Sequence, residues 1–381
     1  MHVGKKEKQA CCGCTACEVV CPVQAIKMQP DKLGFYYPHV DENLCVDCER
    51  CINYCQFHTQ YDRFQNYDEP SIYGCRLKDE AELLRSQSGG ISHAIVENLI
   101  KQDYVIYGAA FVSPDRVAHI RVNDSVSAQA LRGSKYVQSD LNGVFKAVAN
   151  DLEHGSKVLF IGTSCQVAGL KSTISSEYSK LLVTVDLICH GVPSPKIWKD
   201  HILFYEKKFK HRVVTANFRD KKYGWHSRRQ ILTFDNGKKF SVRTFNIITD
   251  LAVRSSCAHC PFTNFNRVGD ITIGDFWGWE KHYSLWNDNK GVSLVMVNSD
   301  KGSFIFNQLK NVETVKATKQ LCYQPQLSYP IKLNSDYSQF QLDYIKNGYT
   351  YTMKKYSDLS LLYKIKQECY KFKAFLLKLK G

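Results

Sequence analysis

No run of about 18 apolar residues occurs in the 381-residue chain, which removes a membrane-spanning helix from consideration. The opening residues MHVGKKEKQACC contain no apolar signal-peptide core, which argues against an oxidising compartment and for a reducing cytoplasm. Low-complexity sequence is missing apart from a lysine-rich end. Internal repeats are missing apart from one doubled motif. No His and acid set accompanies a candidate nucleophile, so a hydrolase or transferase built on Cys165 has little support, and no catalytic residue stands out.

Cysteine, by contrast, is abundant, with 16 residues. Eight fall in two matching runs, Cys11-x2-Cys14-x2-Cys17-x3-Cys21-Pro22 and Cys45-x2-Cys48-x2-Cys51-x3-Cys55. A 4Fe-4S cube needs four thiolates; a tight turn supplies three, and the remote fourth cysteine of each run crosses to the other cube. The spacing therefore assigns Cys11, Cys14, Cys17 and Cys55 to a first cluster and Cys45, Cys48, Cys51 and Cys21 to a second. Zinc modules use paired ligands instead. Cys12 breaks the spacing and receives no ligand role, and Gln56 stands where the first run has Pro22. Residues 8–60 resemble the bacterial two-cluster ferredoxin domain.

The formal charge of +14 invites a nucleic-acid partner, but it counts every cysteine as neutral. Two oxidised cubes, each about −2, reduce it to roughly +10, and three to roughly +8. Much of the remainder is local, from Lys354 to Lys380. Leu361, Leu362, Ile365, Phe372, Phe375, Leu376 and Leu379 give that segment an apolar side. A solvated helix face accounts for it; docking to an acidic partner or to anionic lipid is the alternative, and nucleic acid is not expected.

After a polar segment at 56–80, read as a linker, apolar patterns alternate between helical and strand-like spacing: HAIVENLI, YVIYGAAFV, VAHIRV, VFKAVANDL, KVLFIG and LLVTVDLIC. Alternation of this kind predicts an α/β layer. A helix at 195–209 precedes strands TANFRD, RQILTFD and KFSV, the last two joined at Asn236-Gly237 as a hairpin. The fold expected is thus α+β/α/β: a bacterial-type ferredoxin module at 1–62, an α/β domain divided at 70–178 and 179–335, and a helical basic tail at 336–381.

Four further cysteines sit at element ends. Cys165 follows KVLFIG, Cys189 ends LLVTVDLIC, and Cys257-x2-Cys260 precedes Pro261. Together they suit a third 4Fe-4S cluster; a zinc site or thioredoxin-like disulfide at the C-x2-C pair, and unliganded thiols, stay open. Ser88, Gly89 and Gly90 before a helix, and Lys135-Tyr136 after Gly133, are compatible with a phosphate or flavin ring, although a plain helix start explains the first group equally. His190 beside Cys189 is a proton donor or a structural histidine.

The motifs SQSGG, GSKYVQSD, IGTSCQVAGL, DLICHGVPS, SSCAHCPF and DITIGDFWG resemble, in succession, those of the coenzyme F-420 hydrogenase/dehydrogenase beta-subunit family over about residues 70–300. The resemblance implies FAD near Ser88, Gly89, Gly90, Lys135 and Tyr136, and cluster ligation by Cys165, Cys189, Cys257 and Cys260. Ser164 stands where relatives often have proline. A flavin converts single electrons to pairs, so the expected function is an FAD-dependent iron–sulfur oxidoreductase, linking a ferredoxin-like partner to a small organic substrate. The alternatives are a deazaflavin (coenzyme F-420) dehydrogenase or reductase subunit, or a non-catalytic electron-transfer subunit docked to a partner enzyme.

Overall fold

The structure is a computed structural model describing residues 2–57, 66–227, 229–360 and 365. In the N-terminal module, helix α1 (Ala16–Val19), strands β1 (Ile26–Pro30) and β2 (Tyr36–Val40) and helix α2 (Arg50–Asn53) follow one another. The strands pair antiparallel, Ile26 opposite Val40, and make the hairpin expected from LGFYYPHV. A small apolar core of Val3, Ile26, Val40 and Ile52 packs against Cys17, Cys21, Cys45 and Cys55.

The segment read as a linker contains β3 (Ser71–Leu77), an internal strand of the main sheet. Its polar letters concealed a strand whose last four residues are buried. Helices α3 (Glu80–Arg85) and α4 (Ile91–Ile100), strands β4 (Val105–Ser113) and β5 (Arg116–Val122), helix α5 (Val144–Glu153), strand β6 (Val158–Thr163), helix α6 (Ser164–Thr173) and strand β7 (Leu182–Leu187) come next. Helix α7 (Pro195–Phe209) starts with Ser194 accepting from the Ile197 amide and Pro195 in its first turn, a strong start signal. Strands β8 (Val213–Asn217), β9 (Gln230–Phe234) and β10 (Lys239–Val242) form a separate antiparallel sheet, and Gly237 has φ +76 at the expected hairpin turn. The chain continues through α8 (Thr244–Ile248), β11 (Ile271–Asp275), α9 (Trp279–His282), β12 (Ser293–Val297), α10 (Asp300–Asn307), β13 (Val312–Ala317) and α11 (Tyr337–Tyr356), which is kinked at Gly348.

The main sheet runs β13-β3-β12-β11-β7-β6-β4-β5. Its centre, β11-β7-β6-β4, is parallel, and the outer strands are antiparallel. Both faces are covered: α4 and α10 contribute Ile95, Leu99 and Ile305 on one side, α5 and α6 contribute Phe145, Val148 and Val167 on the other. This two-sided burial explains why β6 and β7 read as unbroken apolar runs. The 178/179 boundary falls between β6 and β7, neighbours in this one sheet. Of the expected basic tail, α11 is described; residues 361–364 and 366–381 lie outside the described residues. No helix among the described residues is long and apolar enough to cross a membrane.

Burial lowers His119 to about 4 and His201 to about 3, so both are neutral when folded at pH 7. Each protonates near 6.5 once unfolded, so their contribution is complete above about pH 6.5 and declines as pH falls toward the folded values. Unfolding free energy is expected to drop by about 2 kcal/mol per histidine between pH 7 and 5. Urea melts of wild type and His201→Gln check this: the variant should show the shallower pH dependence.

Candidate electron-transfer site

Parallel strands β6 and β7 end side by side, with Thr163 opposite Leu187. Cys165 and Cys189 each lie two residues beyond that pair, at the carboxyl edge where α/β sheets hold ligands. A short 3-10 turn, Ser255–His259, brings Cys257 and then Cys260 to the same place. All four line one cavity, joined by Cys12, Arg254 and Arg267. The Cys189 and Cys260 thiols are pushed up to about 12, in both cases chiefly by burial, with Cys165 adding to the shift. Four thiols lining one recess are the donor type of a multi-iron cluster, although no group of three or more His, Cys, Asp or Glu among the described residues is placed to hold a single metal ion; once ligated they would be deprotonated, and the metal would supply the missing positive charge.

A buried network fixes the two loops. Arg267 and Asp186 pair at 2.6 Å, both essentially inaccessible. Arg267 also donates to the Phe262 carbonyl at 2.7 Å, just past Cys260, and to Ser164 Oγ at 2.7 Å, just before Cys165. Ser164 in turn donates to Asp186 at 2.8 Å. The serine noted as a departure from relatives is thus a member of this network.

The N-terminal module docks on the same edge. Cys11, Cys14, Cys17 and Cys55 act on one another electrostatically, as do Cys45, Cys48 and Cys51, and Cys21 packs with Cys45 in the module core. Cys14 lies on Gly169 of α6: a Cβ there would meet Cys14 Cβ and Sγ at 2.8 Å. Cys12, given no role from the spacing, is buried and lines the same cavity as Cys165. No spacing rule signals this, because the contact is made across domains.

The residues named for a flavin lie elsewhere on the carboxyl side. Ser88 has φ +52 and its hydroxyl donates to the Val292 carbonyl at 2.7 Å. The Gly89 amide donates to Ser293 Oγ at 2.9 Å and the Gly90 amide to the Gln87 carbonyl at 3.0 Å. A Cβ on Gly89 would meet the Cys75 carbonyl at 2.0 Å, so this glycine serves close packing on β3. Lys135 Nζ donates to the Ala130 and Arg132 carbonyls at 3.1 and 2.8 Å. The Tyr136 hydroxyl accepts from Arg219 at 3.3 Å, and Arg219 pairs with Asp275 at 2.6 Å. Lys221, in a run that reads from sequence as an ordinary charged strand end, donates to the Ser88 carbonyl at 2.5 Å.

Residues 155–320 match the family described as the carboxy-terminal part of the coenzyme F420 hydrogenase/dehydrogenase beta subunit, and residues 10–59 match the 4Fe-4S dicluster domain. The chain thus carries a region similar to that beta-subunit family and, at its N-terminal side, one similar to the dicluster domain. It is an oxidoreductase-family iron–sulfur protein. A curated relative, one of the subunits of the F(420)H(2) dehydrogenase of Methanosarcina mazei, is 21% identical over 281 residues, 70% of this chain and 76% of the relative. Among solved structures, a chain of the F420-reducing NiFe hydrogenase complex of Methanosarcina barkeri is 16% identical with TM-score 0.47, covering 78% of this chain and 94% of that one. The expectation of an FAD-dependent iron–sulfur oxidoreductase is corrected by these matches: the family and the curated relative are both described as subunits. Sequence spacing reveals cofactor ligands, whereas a partition of the reaction between chains leaves no mark on them.

Proposed function

We propose that this chain is the electron-transfer subunit of an assembly that handles a deazaflavin, passing single electrons between a partner subunit and its own clusters. The names of the family and of the curated relative support the deazaflavin and the subunit role. The observation that carries the relay is the seating of Cys14 on Gly169 of α6, the helix that also carries Cys165, with Cys12 lining the Cys165 cavity. It abuts the cysteine set Cys11, Cys14, Cys17 and Cys55 on the set Cys165, Cys189, Cys257 and Cys260, so a third 4Fe-4S cluster held by the latter adjoins the first. What the clusters supply is one-electron storage. The chain's own residues half-bury the ligands and fix both loops through Arg267 and Asp186.

FAD is the finer reading. Its support is a ring of cations around the Ser86–Gly90 loop: Lys221 on the Ser88 carbonyl, Arg132 on Ser86 Oγ at 3.3 Å, and Lys135 on the Arg132 carbonyl. Burial lowers both lysines to about 7, so an incoming diphosphate would draw a proton onto them.

Iron analysis of anaerobically reconstituted protein tests the relay. About twelve irons per chain are expected, against about eight for the N-terminal module alone. Cys189→Ser should bring the count to about eight with the N-terminal clusters still visible by EPR; an unchanged count would remove the third cluster. Flavin released on acid treatment, and lost in Lys135→Ala, tests the FAD site.

A further inference from the structure

Two buried arginines flank the cysteine cavity, and they differ in their partners. Arg267 is neutralised by Asp186. Arg254 is fully buried, and among the described residues no carboxylate lies within ion-pair distance of it. Its guanidinium is instead held by neutral acceptors: the Cys11 carbonyl at 2.7 Å, the Tyr36 carbonyl at 2.9 Å and Gln138 Oε1 at 3.1 Å. It also lies 4.0 Å from the Tyr37 ring centroid. Its one anionic neighbour-to-be is sulfur, with Nη2 3.6 Å from Cys11 Sγ. Gly13, at φ +72, makes room for it: a Cβ there would meet Nη1 at 2.9 Å. The Arg254 carbonyl accepts from the Cys257 amide at 3.0 Å, so the same residue is built into the second cysteine loop. Its positive charge acts on both Cys11 and Cys165.

A buried guanidinium without a carboxylate is strongly destabilising unless some other negative charge compensates it. Ligated cysteine sets on either side supply that charge. We propose that Arg254 is the shared counter-charge of the first and third cysteine sets, raising the reduction potentials of both clusters and tying the two together. The proposal rests on the reading that Cys165, Cys189, Cys257 and Cys260 hold a cluster. A fixed cation favours the more negative, reduced cube, so its removal lowers the potential. The set Cys21, Cys45, Cys48 and Cys51 has no contact with Arg254 among the described residues and serves as an internal reference. Arg254 is a positioning and charge-setting residue, touching ligands through their sulfur and backbone.

The experiment is an EPR-monitored redox titration of anaerobic, cluster-loaded full-length protein, with iron counted in each sample. Arg254→Gln is expected to shift the first and third clusters to more negative potential and leave the second in place. Gln138→Glu, which puts a carboxylate on the guanidinium without removing it, is expected to shift the same two clusters in the same direction. Arg254→Lys, which keeps the charge but loses the fork, should stay near wild type. The proposal is overturned if Gln138→Glu leaves the potentials unmoved, if the second cluster moves as far as the others, or if the lysine variant is displaced as far as the glutamine one. If Arg254→Gln does not fold, Gln138→Glu and Arg254→Lys decide it alone. Wild-type iron near eight would overturn the third cluster and the shared role with it; iron near twelve with unmoved potentials would overturn the role of Arg254 only.

Discussion

Asp186→Ala is expected to cost about 3–5 kcal/mol of apparent stability, because it leaves Arg267 charged, buried and without its partner. The effect should reach the candidate site. Asp186 also accepts from Ser164 at 2.8 Å and from Thr272 Oγ1, and Arg267 anchors the chain next to Cys260. Loss of the carboxylate therefore loosens the loops of Cys165 and Cys260 together, and iron should fall by about four per chain. Urea melts with iron analysis measure both. Asp186→Leu combined with Arg267→Met removes both charges and should recover part of the stability. A single variant melting with wild type would show that the pair holds nothing.

The second large effect is expected at Gly169, where two arguments give opposite signs. Within a helix, Gly→Ala ordinarily gains about 0.5–1 kcal/mol. Here the added carbon would lie 2.8 Å from Cys14 Cβ and Sγ. Overpacking of that kind costs about 1–3 kcal/mol, so a net loss is expected from alanine and a larger one from valine. Because the clash falls on Cys14, proposed as a ligand of the first cluster, Gly169→Val should also lose about four irons while the second cluster persists. Thermal melts by circular dichroism, together with EPR, measure the outcome; a stabilised alanine variant would mean that the module does not sit on α6 as described.

Local signals were readable where one segment determines its own structure. The doubled cysteine spacing marked the N-terminal module, the two-sided burial of β6 and β7 gave unbroken apolar runs, and Asn236-Gly237 marked the β9–β10 hairpin. The strand-end positions of Cys165 and Cys189 were also readable, but their adjacency depends on β6 pairing with β7. Strand β3 was hidden because its neighbours, β12 and β13, come more than two hundred residues later. Arg254, Gly13, Gly169 and Cys12 were hidden for the same reason. Each is an ordinary letter in its own segment and acquires a role only when the module meets the sheet. The division of labour between subunits was hidden more deeply, since it depends on surfaces of other chains.

The bond from Arg254 to the Cys11 carbonyl joins residues 243 positions apart. At roughly 5–20 residues per second, a ribosome needs about 12 to 50 seconds to cover that distance. Within that interval the first cysteine run waits for its cover, because α6 is complete only at Thr173 and the 3-10 turn only at His259. Its thiols are then open to iron–sulfur donors and equally to oxygen, and arrival of the later segments closes the face. Cluster delivery to the N-terminal module is thus expected to be easiest during translation, because a chain released without its first cluster has that face narrowed by α6 and the Ser255–His259 turn.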